Sequence, residues 1–551
     1  NCTHLNLNDS FVHVTHIELR NYSLVGSIPN EFSNLTELIE IAFRFNNLTG
    51  TIPSRLGSLQ SLVYLDVSHN SLTGTIPSNL GYAAQLTYLY LDVNALTGTI
   101  PSTLAFAGQL SNLYLDFNAI TGSIPGNLGL LSGLKIFSII DNALTGSIPS
   151  SLGSASQLTH LALQINFLSG VIPSSLGSLT RLESLNMVAN ALTGTIPSSF
   201  GSAMQLKYLY IERNHLSGAI PSALGSLTQL GILRLSFNDL TGFIPASIWG
   251  FRNMTTLDLN NNYLKGTISS SIERMENLVY LYLGDNDLTG SIPSSLAKLP
   301  NMVYLSIFNN SLVGSLNGGF NSSIQTSLVQ VDLHNNQLTG PLPVELFRIS
   351  SLSIAALASN CFTGTLPTEV CGQSRLKDLI LDGLHSASTC QNKIWALSES
   401  YIIHHGISGS IPPCVFSLPQ LQALHLSGNG LTGSLPDDLN ISNITELILS
   451  HNSLTGPIPA AFQNHFWARF DVSYNRLSGS LASTFGLNMP SKSTVYVQNN
   501  RLSGEVPSYL VDLEDVSALG SNMFSCNRDK SDLPQHDSAV DNYQCGSDAF
   551  N

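Results

Sequence analysis

Leucines recur along the chain in a fixed pattern that ends in an asparagine. In the stretch Leu278, Leu281, Leu283 and Asn286 the spacing is L-x-x-L-x-L-x-x-N. The L-x-L part alternates with period two, which predicts a short β-strand whose leucines face inward. The asparagine follows at a turn, where its side chain can satisfy backbone groups that would otherwise be buried without a partner.

This pattern repeats every 24 residues. We call its last residue the ladder asparagine; it stands at 46, 70, 94, 118, 142, 166, 190, 214, 238, 262, 286 and 310, and Tyr22 holds the same slot one period earlier. The series continues less regularly at Asn336, Asn360, Asn429, Asn452, Asn475, Asn500 and Asn522. After each strand, Thr-Gly predicts a tight bend, Ile-Pro an extended return segment, and the next leucines a short 3₁₀ or helical turn.

No single copy can bury its leucine face alone, so the copies must stack. The sequence therefore predicts an α/β solenoid of about 20 coils, with neighbouring parallel strands roughly 4.8 Å apart. A solenoid core grows in one dimension, so 551 residues need not divide into several globular domains.

The form L-T-G-x-I-P-x-x-L-G resembles the plant-type leucine-rich repeat. That repeat occurs in the ectodomains of plant receptor kinases, in receptor-like proteins and in secreted polygalacturonase inhibitors. The resemblance covers about Val14 to Asn522 and implies a right-handed superhelix with a parallel β-sheet on its concave side. The cysteine spacing is also similar to that of secreted or membrane-anchored leucine-rich repeat proteins of unicellular algae, which implies that the native chain continues into an anchor.

Breaks in the period suggest a division of the chain. We expect a partial N-terminal cap and first strand at 1–21, solenoid at 22–381, an island insertion at 382–404, further solenoid at 405–522, and a C-terminal cysteine cap at 523–551. The insertion makes one coil 21 residues longer than the others.

The chain has seven cysteines, so at least one lacks an internal partner. Four surround the island and allow three connectivities. If the insertion belongs to one coil, Cys371 and Cys414 lie on adjacent coils within disulfide reach, which leaves Cys361 for Cys390. We expect Cys526–Cys545 to close the C-terminal cap. Cys2 resembles one half of the cysteine pair in the plant N-terminal cap, and we expect its partner upstream; the alternative is an interchain bond.

Composition restricts the class of partner. With 22 Lys and Arg against 36 Asp and Glu, the chain has no basic footprint for nucleic acid or an anionic membrane surface. Its apolar segments are too short and too often interrupted to span a bilayer. Cysteines and many N-glycosylation sequons predict an extracellular or cell-surface location, by secretion or by an anchor outside this chain. The sequons lie at Asn1, Asn8, Asn21, Asn34, Asn47, Asn253, Asn309, Asn321, Asn440 and Asn443.

Outward positions on such strands lie six, four, two and one residues before the ladder asparagine. They carry tyrosines flanked by acids, a combination that is typical of recognition surfaces. The ligand-binding candidates are Tyr64, Asp66, Tyr88, Tyr90, Asp92, Tyr114, Asp116, Tyr208, Tyr210 and Glu212. The alternative is that these tyrosines only stabilise the sheet, because tyrosine is a good strand former.

Sequons are absent between Asn47 and Asn253, which leaves a long stretch open to a partner or to another copy of the chain. The alternative is that repeat copying spread a coil that lacked a sequon.

No catalytic motif, metal-ligand spacing or cofactor motif appears, and His404-His405 lack a neighbouring carboxylate or thiolate. We therefore predict a non-enzymatic extracellular scaffold, without metal or cofactor, that recognises a protein, peptide or glycan in a receptor-like or adhesive role. The alternative is a structural glycoprotein that assembles as a homo-oligomer or filament in a surface coat or extracellular fibre.

Overall fold

The computed structural model describes residues 13–383, 406–437, 441 and 443–545. The chain divides into two compact units, Asn1–Lys265 and Gly266–Asn551. Most of the predicted island, residues 384–404, lies outside the described residues, as do Asn1, Cys2, Asn8, Cys390 and Asn440.

Short parallel strands form the main sheet of the first unit. Successive strands pair residues 24 apart, so Tyr64 lies beside Tyr88 and Tyr88 beside Asn112. The described strands of this sheet are His16–Glu18, Glu40–Ala42, Tyr64–Asp66, Tyr88–Tyr90, Asn112–Tyr114, Ile136–Ser138, His160–Ala162, Ser184–Asn186, Tyr208–Tyr210, Ile232–Arg234 and Thr256–Asp258. This is the strand that L-x-L predicts.

A second line of strands follows the ladder asparagines. The sequence predicts only a bend and an extended segment here, but the backbone also pairs between coils, for example Thr73 with Ala95. In the first unit these strands are Val25–Gly26, Asn47–Leu48, Thr73–Thr75, Ala95–Thr97, Thr121–Gly122, Ala143–Leu144, Ser169–Val171, Ala191–Gly194, His215–Ala219, Asp239–Phe243 and Tyr263–Gly266. The second line satisfies the backbone groups of the return segment.

Short 3₁₀ turns complete the coils. They are Asn30–Asn34, Ser54–Ser58, Ser78–Tyr82, Ser102–Phe106, Gly126–Leu130, Ser150–Ser154, Ser174–Ser178, Ser198–Ser202, Ser222–Ser226 and Ile248–Gly250. Proline precedes most of them, as Pro77 does with φ −64°, because its fixed φ suits the turn and its missing N–H needs no partner there. At Gly81 a Cβ would lie 1.9 Å from the carbonyl oxygen of Thr103, so glycine permits the close approach of neighbouring turns.

The core consists of the stacked leucines and the ladder asparagines. Leu86, Leu89 and Leu91 have no exposed surface. The amide oxygen of Asn238 accepts from the backbone N–H of Leu216, and its amide nitrogen donates to the carbonyls of Ile211 and Leu235. The side chain thus joins two coils from inside, in the role that the pattern predicts.

The residue before each ladder asparagine adopts a left-handed backbone conformation. Its φ is 58° at Phe45, 53° at His69, 52° at Phe117 and 56° at Arg213. Residues other than glycine rarely adopt this conformation, and here the hydrogen bonds of the following asparagine hold the turn.

The second unit repeats this arrangement. Its main-sheet strands are Tyr280–Tyr282, Tyr304–Ser306, Gln330–Asp332, Ile354–Ala356, Asp378–Ile380, Ala423–His425, Glu446–Ile448, Arg469–Asp471, Thr494–Tyr496 and Asp515–Ser517. Its second line comprises Asp287–Gly290, Ser311–Ser315, Gln337–Pro341, Cys361–Thr365, Ile407–Gly409, Gly430–Leu431, Thr455–Gly456, Arg476–Ser480, Arg501–Glu505 and Met523–Ser525. Its described helices are the 3₁₀ turns Ser270–Arg274, Ser294–Lys298, Leu346–Arg348, Thr368–Gly372, Pro413–Ser417 and Val540–Asn542 and the α-helices Ala460–Gln463 and Ser508–Val511.

The insertion lies within one coil of the second unit, because Asp378 pairs directly with Ala423. A disulfide joins Cys371 to Cys414 on the two sides of the insertion, with Cα atoms 5.5 Å apart. Cys361 is also disulfide-bonded, and its expected partner Cys390 lies outside the described residues.

The last coil is closed by the C-terminal segment. Cys526 and Cys545 form a disulfide with Cα atoms 5.4 Å apart. The Tyr543 hydroxyl accepts from the backbone N–H of Phe524, and buried Asp537 accepts from the N–H of Ala518. These bonds pair backbone groups that have no further coil to bond to.

Among the described residues, no helix has the length and apolar character needed to cross a membrane.

Candidate functional site

Four tyrosines lie together on the main sheet of the first unit. We call Tyr64, Tyr88, Tyr90 and Tyr114 the first tyrosine cluster. Ring centroids are 5.8 Å apart for Tyr64 and Tyr88, 5.5 Å for Tyr64 and Tyr90, and 5.1 Å for Tyr90 and Tyr114. The in-register strands bring these rings together, as the sequence predicts. Tyr88 is 36% exposed and the other three are half-buried, so the cluster presents aromatic surface to solvent.

Two acids that were expected to face a ligand are instead buried in the sheet. Asp66 accepts hydrogen bonds from the hydroxyls of Tyr64 and Ser68 at 3.1 and 2.6 Å. Asp116 accepts from the hydroxyl of Ser138 at 2.6 Å and the N–H of Ile140 at 2.7 Å. Their carboxylates are thus occupied within the protein, because a buried charge needs such partners.

Asp92 is the more accessible acid of this cluster. Burial raises its pKa to about 6, and the nearby carboxylates Asp116 and Asp66 add to the rise. Nε2 of His69 lies 3.7 Å from the carboxylate, but burial and the nearby Arg44 lower the pKa of His69 and so favour its neutral form. An incompletely compensated carboxylate beside aromatic rings is suited to a cationic group of a ligand.

Sequence reasoning missed two aromatic side chains at the edge of the cluster. Phe45 is 48% exposed, and the ring of His69 lies on it at a centroid distance of 4.2 Å. The guanidinium of Arg44 lies 4.6 Å from the centre of the Phe45 ring. Both rings occupy the position just before a ladder asparagine, so aromatics in that slot are the signal that could have found them.

A second tyrosine cluster, comprising Tyr208, Tyr210, Glu212 and Arg234, lies farther along the same sheet. The two rings stack at 6.4 Å, and the Arg234 guanidinium lies 5.8 Å from the centre of the Tyr210 ring. Burial raises the pKa of Glu212 to about 7, although Arg234 opposes the rise. Oε2 of Glu212 and Nε of Arg234 are buried with no hydrogen-bond partner among the described residues.

The surface between the clusters carries smaller side chains. Three strands separate them, Ile136–Ser138, His160–Ala162 and Ser184–Asn186. Strands Asn112–Tyr114 and Tyr208–Tyr210 are four steps apart, or roughly 19 Å at about 4.8 Å per step. An extended segment of about six residues spans that distance at roughly 3.3 Å per residue. Between the two aromatic ends, the slot of Tyr88 and Tyr208 holds Ile136, the exposed His160 and Ser184, all smaller than tyrosine; we call this stretch of sheet the floor.

A further tyrosine group lies on the main sheet of the second unit. Tyr280 stacks on Tyr282 at 6.2 Å and on Tyr304 at 5.3 Å.

The described sequons differ in accessibility. Exposed asparagines stand at Asn21, Asn34, Asn47, Asn253 and Asn443, whereas Asn309 and Asn321 are half-buried. The amide of Asn309 donates to Asp285 at 2.6 Å and its oxygen accepts from Asn335, so a glycan there would compete with these bonds.

Within the described ranges, no group of three or more His, Cys, Asp or Glu side chains is placed to hold a metal ion.

The chain matches two descriptions of the leucine-rich repeat family. One covers residues 156–216, 204–264 and 252–312, and the other 61–83, 327–349, 420–440 and 443–465. A comparison with curated proteins finds no significant match.

Solved structures of plant receptors are similar over most of the chain. The plant peptide hormone receptor RGFR1, solved with RGF2, is 30% identical, with 93% of this chain and 79% of that chain covered and a TM-score of 0.83. The ectodomain of the Arabidopsis receptor kinase HAESA, solved with an N-terminally extended IDA peptide hormone, is 29% identical, with 94% and 84% covered and a TM-score of 0.80. PEPR1, solved with AtPEP1, is 30% identical, with 94% and 80% covered and a TM-score of 0.68.

The repeat, the paired strand lines and the extent of these likenesses agree, and the chain belongs to the leucine-rich repeat family, as a plant-type extracellular leucine-rich repeat domain.

Proposed function

We propose that this chain is a non-enzymatic extracellular recognition domain that binds an extended peptide along the main sheet of its first unit. The observation that carries the proposal is the pair of tyrosine clusters on one in-register sheet, separated by a floor of smaller side chains. The disulfides and sequons suit an oxidising, secreted setting.

Two features favour a peptide over a glycan. The floor is the length of about six extended residues. The clusters also carry charges that the protein compensates only in part: the Asp92 carboxylate, the Glu212 carboxylate and the Arg234 guanidinium. A peptide can supply both aromatic and charged groups at such a spacing, whereas neutral sugars leave those charges unpaired. The receptors named above were solved with peptide hormones, which agrees with this choice.

The test is selection from a library of phage-displayed random dodecapeptides on the purified, glycosylated chain. We expect enriched peptides to carry a basic and an aromatic residue, and to bind the Tyr88→Ala, Tyr90→Ala, Tyr114→Ala triple variant at least about 100-fold more weakly, since buried aromatic anchors contribute roughly 2 kcal/mol or more each. Tyr263→Ala is the matched control, because Tyr263 is 56% exposed and lies on the second line of strands.

Two single variants keep the test informative if the triple variant folds poorly. Tyr88→Ala and Asp92→Asn change exposed or half-buried groups, and each should weaken peptide binding on its own. Equal binding by all of these variants would disprove the site. Retention of glycans from an array, with no peptide enriched, would replace the peptide by a sugar ligand.

A further inference from the structure

An exposed apolar row lies on three consecutive 3₁₀ turns of the first unit. Tyr82, Phe106 and Leu130 are the last residues of the turns Ser78–Tyr82, Ser102–Phe106 and Gly126–Leu130. They are 53%, 62% and 74% exposed, and the rings of Tyr82 and Phe106 lie 6.0 Å apart. The row is distinct from both tyrosine clusters, which lie on the main sheet.

The fold does not require apolar residues in this row. Equivalent positions in other coils of the same unit hold serine, at Ser58, Ser154, Ser178, Ser202 and Ser226. The three side chains together expose roughly 380 Å², taking about 200 Å² as the full area of such a side chain. The largest exposed apolar patch of a typical soluble monomer measures about 300–600 Å² and is often functional, and the row falls within that range.

The three turns that carry the row are uncharged; the acids of these coils, Asp92 and Asp116, stand near the main-sheet strands, and the preceding turn carries Arg55. Residues 71–91, 95–115 and 119–134 contain no Asp, Glu, Lys or Arg, whereas the whole chain has a net charge of −14. Two copies of so acidic a chain repel one another over most of their surface, and these three turns offer an uncharged place of contact. No sequon falls between Asn47 and Asn253, so no N-linked glycan is attached to these turns.

The row is also suited to pairing with itself. Its three members are evenly spaced, so a two-fold axis through Phe106 places Phe106 against its own copy and Tyr82 against Leu130 of the other chain. Gln109, three residues after Phe106, is exposed, and an amide both donates and accepts, so Gln109 can bond to its own copy across the axis. Together with the polar side chains around the row, the contact between two copies would bury on the order of 1,000 Å², an area typical of weak association.

We propose that two copies of this chain associate through Tyr82, Phe106 and Leu130 around a two-fold axis at Phe106. The proposal does not depend on the peptide site.

The first test is sedimentation velocity over a range from about 1 to 200 μM. We expect the weight-average mass of the wild type to rise from one copy toward two. The variant with Tyr82→Ser, Phe106→Ser and Leu130→Ser carries the serine found at the equivalent positions of other coils. It should remain monomeric. Met204→Ser, at another 60% exposed apolar residue of the unit, should associate like the wild type. A wild type that stays monomeric throughout, or a triple variant that associates equally, would overturn the proposal.

The second test locates the axis. Phe106→Cys should be crosslinked to a dimer by a short bismaleimide, far more than Phe243→Cys, whose residue is 71% exposed elsewhere in the unit. Crosslinking of both variants to the same extent would count against a two-fold axis at Phe106.

Discussion

The ring of Tyr90 stacks on that of Tyr114, with 5.1 Å between centroids and 24° between planes. The two residues lie directly opposite each other on neighbouring strands of the main sheet. Each ring therefore contributes both to the stability of the sheet and to the surface that we propose for the ligand.

These two contributions can be separated at Tyr114. Tyr114→Phe keeps the stacked ring, so we expect an unchanged thermal midpoint and retained capture of selected peptides. Tyr114→Ala should lower the free energy of unfolding by about 1 kcal/mol, the size of one aromatic pair, and weaken peptide binding roughly 30-fold, which corresponds to the loss of about 2 kcal/mol from one anchor. Thermal unfolding and peptide binding should be measured on the same samples. Full capture by the Ala variant would show that the ring serves only the sheet.

Glu212 should make the stability of the chain depend on pH. Its folded pKa is raised to about 7 from 4.5, so the folded state retains a proton that the unfolded state has released. Stability therefore falls as pH rises from about 4.5 to 7 and then levels off. Glu212→Gln should remove this contribution, on the order of 1 kcal/mol after solvent screening, and raise the thermal midpoint at pH 8. Parallel pH profiles of the two proteins would contradict the raised pKa.

Asn238 should contribute strongly to the stability of the two coils that it joins. Asn238→Ala removes the acceptor for the N–H of Leu216 and the donor for the carbonyls of Ile211 and Leu235. We expect a loss of about 3 kcal/mol, because each buried group left unpaired costs about 1–3 kcal/mol. Hydrogen exchange should become faster at the Leu216 amide. Asn79→Ala, at an exposed asparagine of a 3₁₀ turn, is the control and should have little effect.

Gly81 should tolerate no side chain. A Cβ there would lie 1.9 Å from the carbonyl oxygen of Thr103, which is backbone and cannot rotate away. Gly81→Ala should therefore cost on the order of 3 kcal/mol. At Gly108 a Cβ meets nothing within 4 Å, so Gly108→Ala should be neutral or slightly stabilising. Comparable thermal midpoints for the two variants would contradict this account of the spacing between turns.

The sequence was sufficient for the fold because each coil repeats the same local problem. In every coil the leucines of L-x-L must be buried, as Leu89 is. The ladder asparagine must be hydrogen-bonded to the backbone, as Asn238 is to Leu216. One arrangement of the coil meets both requirements. The second line of strands was missed because pairs such as Thr73 and Ala95 depend on backbone bonds between coils. Apolar periodicity carries no signal for such bonds.

The candidate site was predictable in position but not in detail. Strand register alone brings Tyr90 beside Tyr114. Register could not show that Asp66 and Asp116 turn their carboxylates to Ser68 and Ser138, because that choice depends on side-chain partners. Phe45 stands at one of the predicted outward positions, but the pattern does not indicate that its ring packs against that of His69.

That left-handed slot has a consequence for engineering new specificity. In the first unit it is occupied by residues as different as Phe45, Asp141, Ala189 and Arg213, all with φ between 51° and 58°. The neighbouring asparagine fixes the backbone, so the identity of the side chain is left free. New contact residues could therefore be introduced along this edge, one per coil, without any change in the packing of the leucine core.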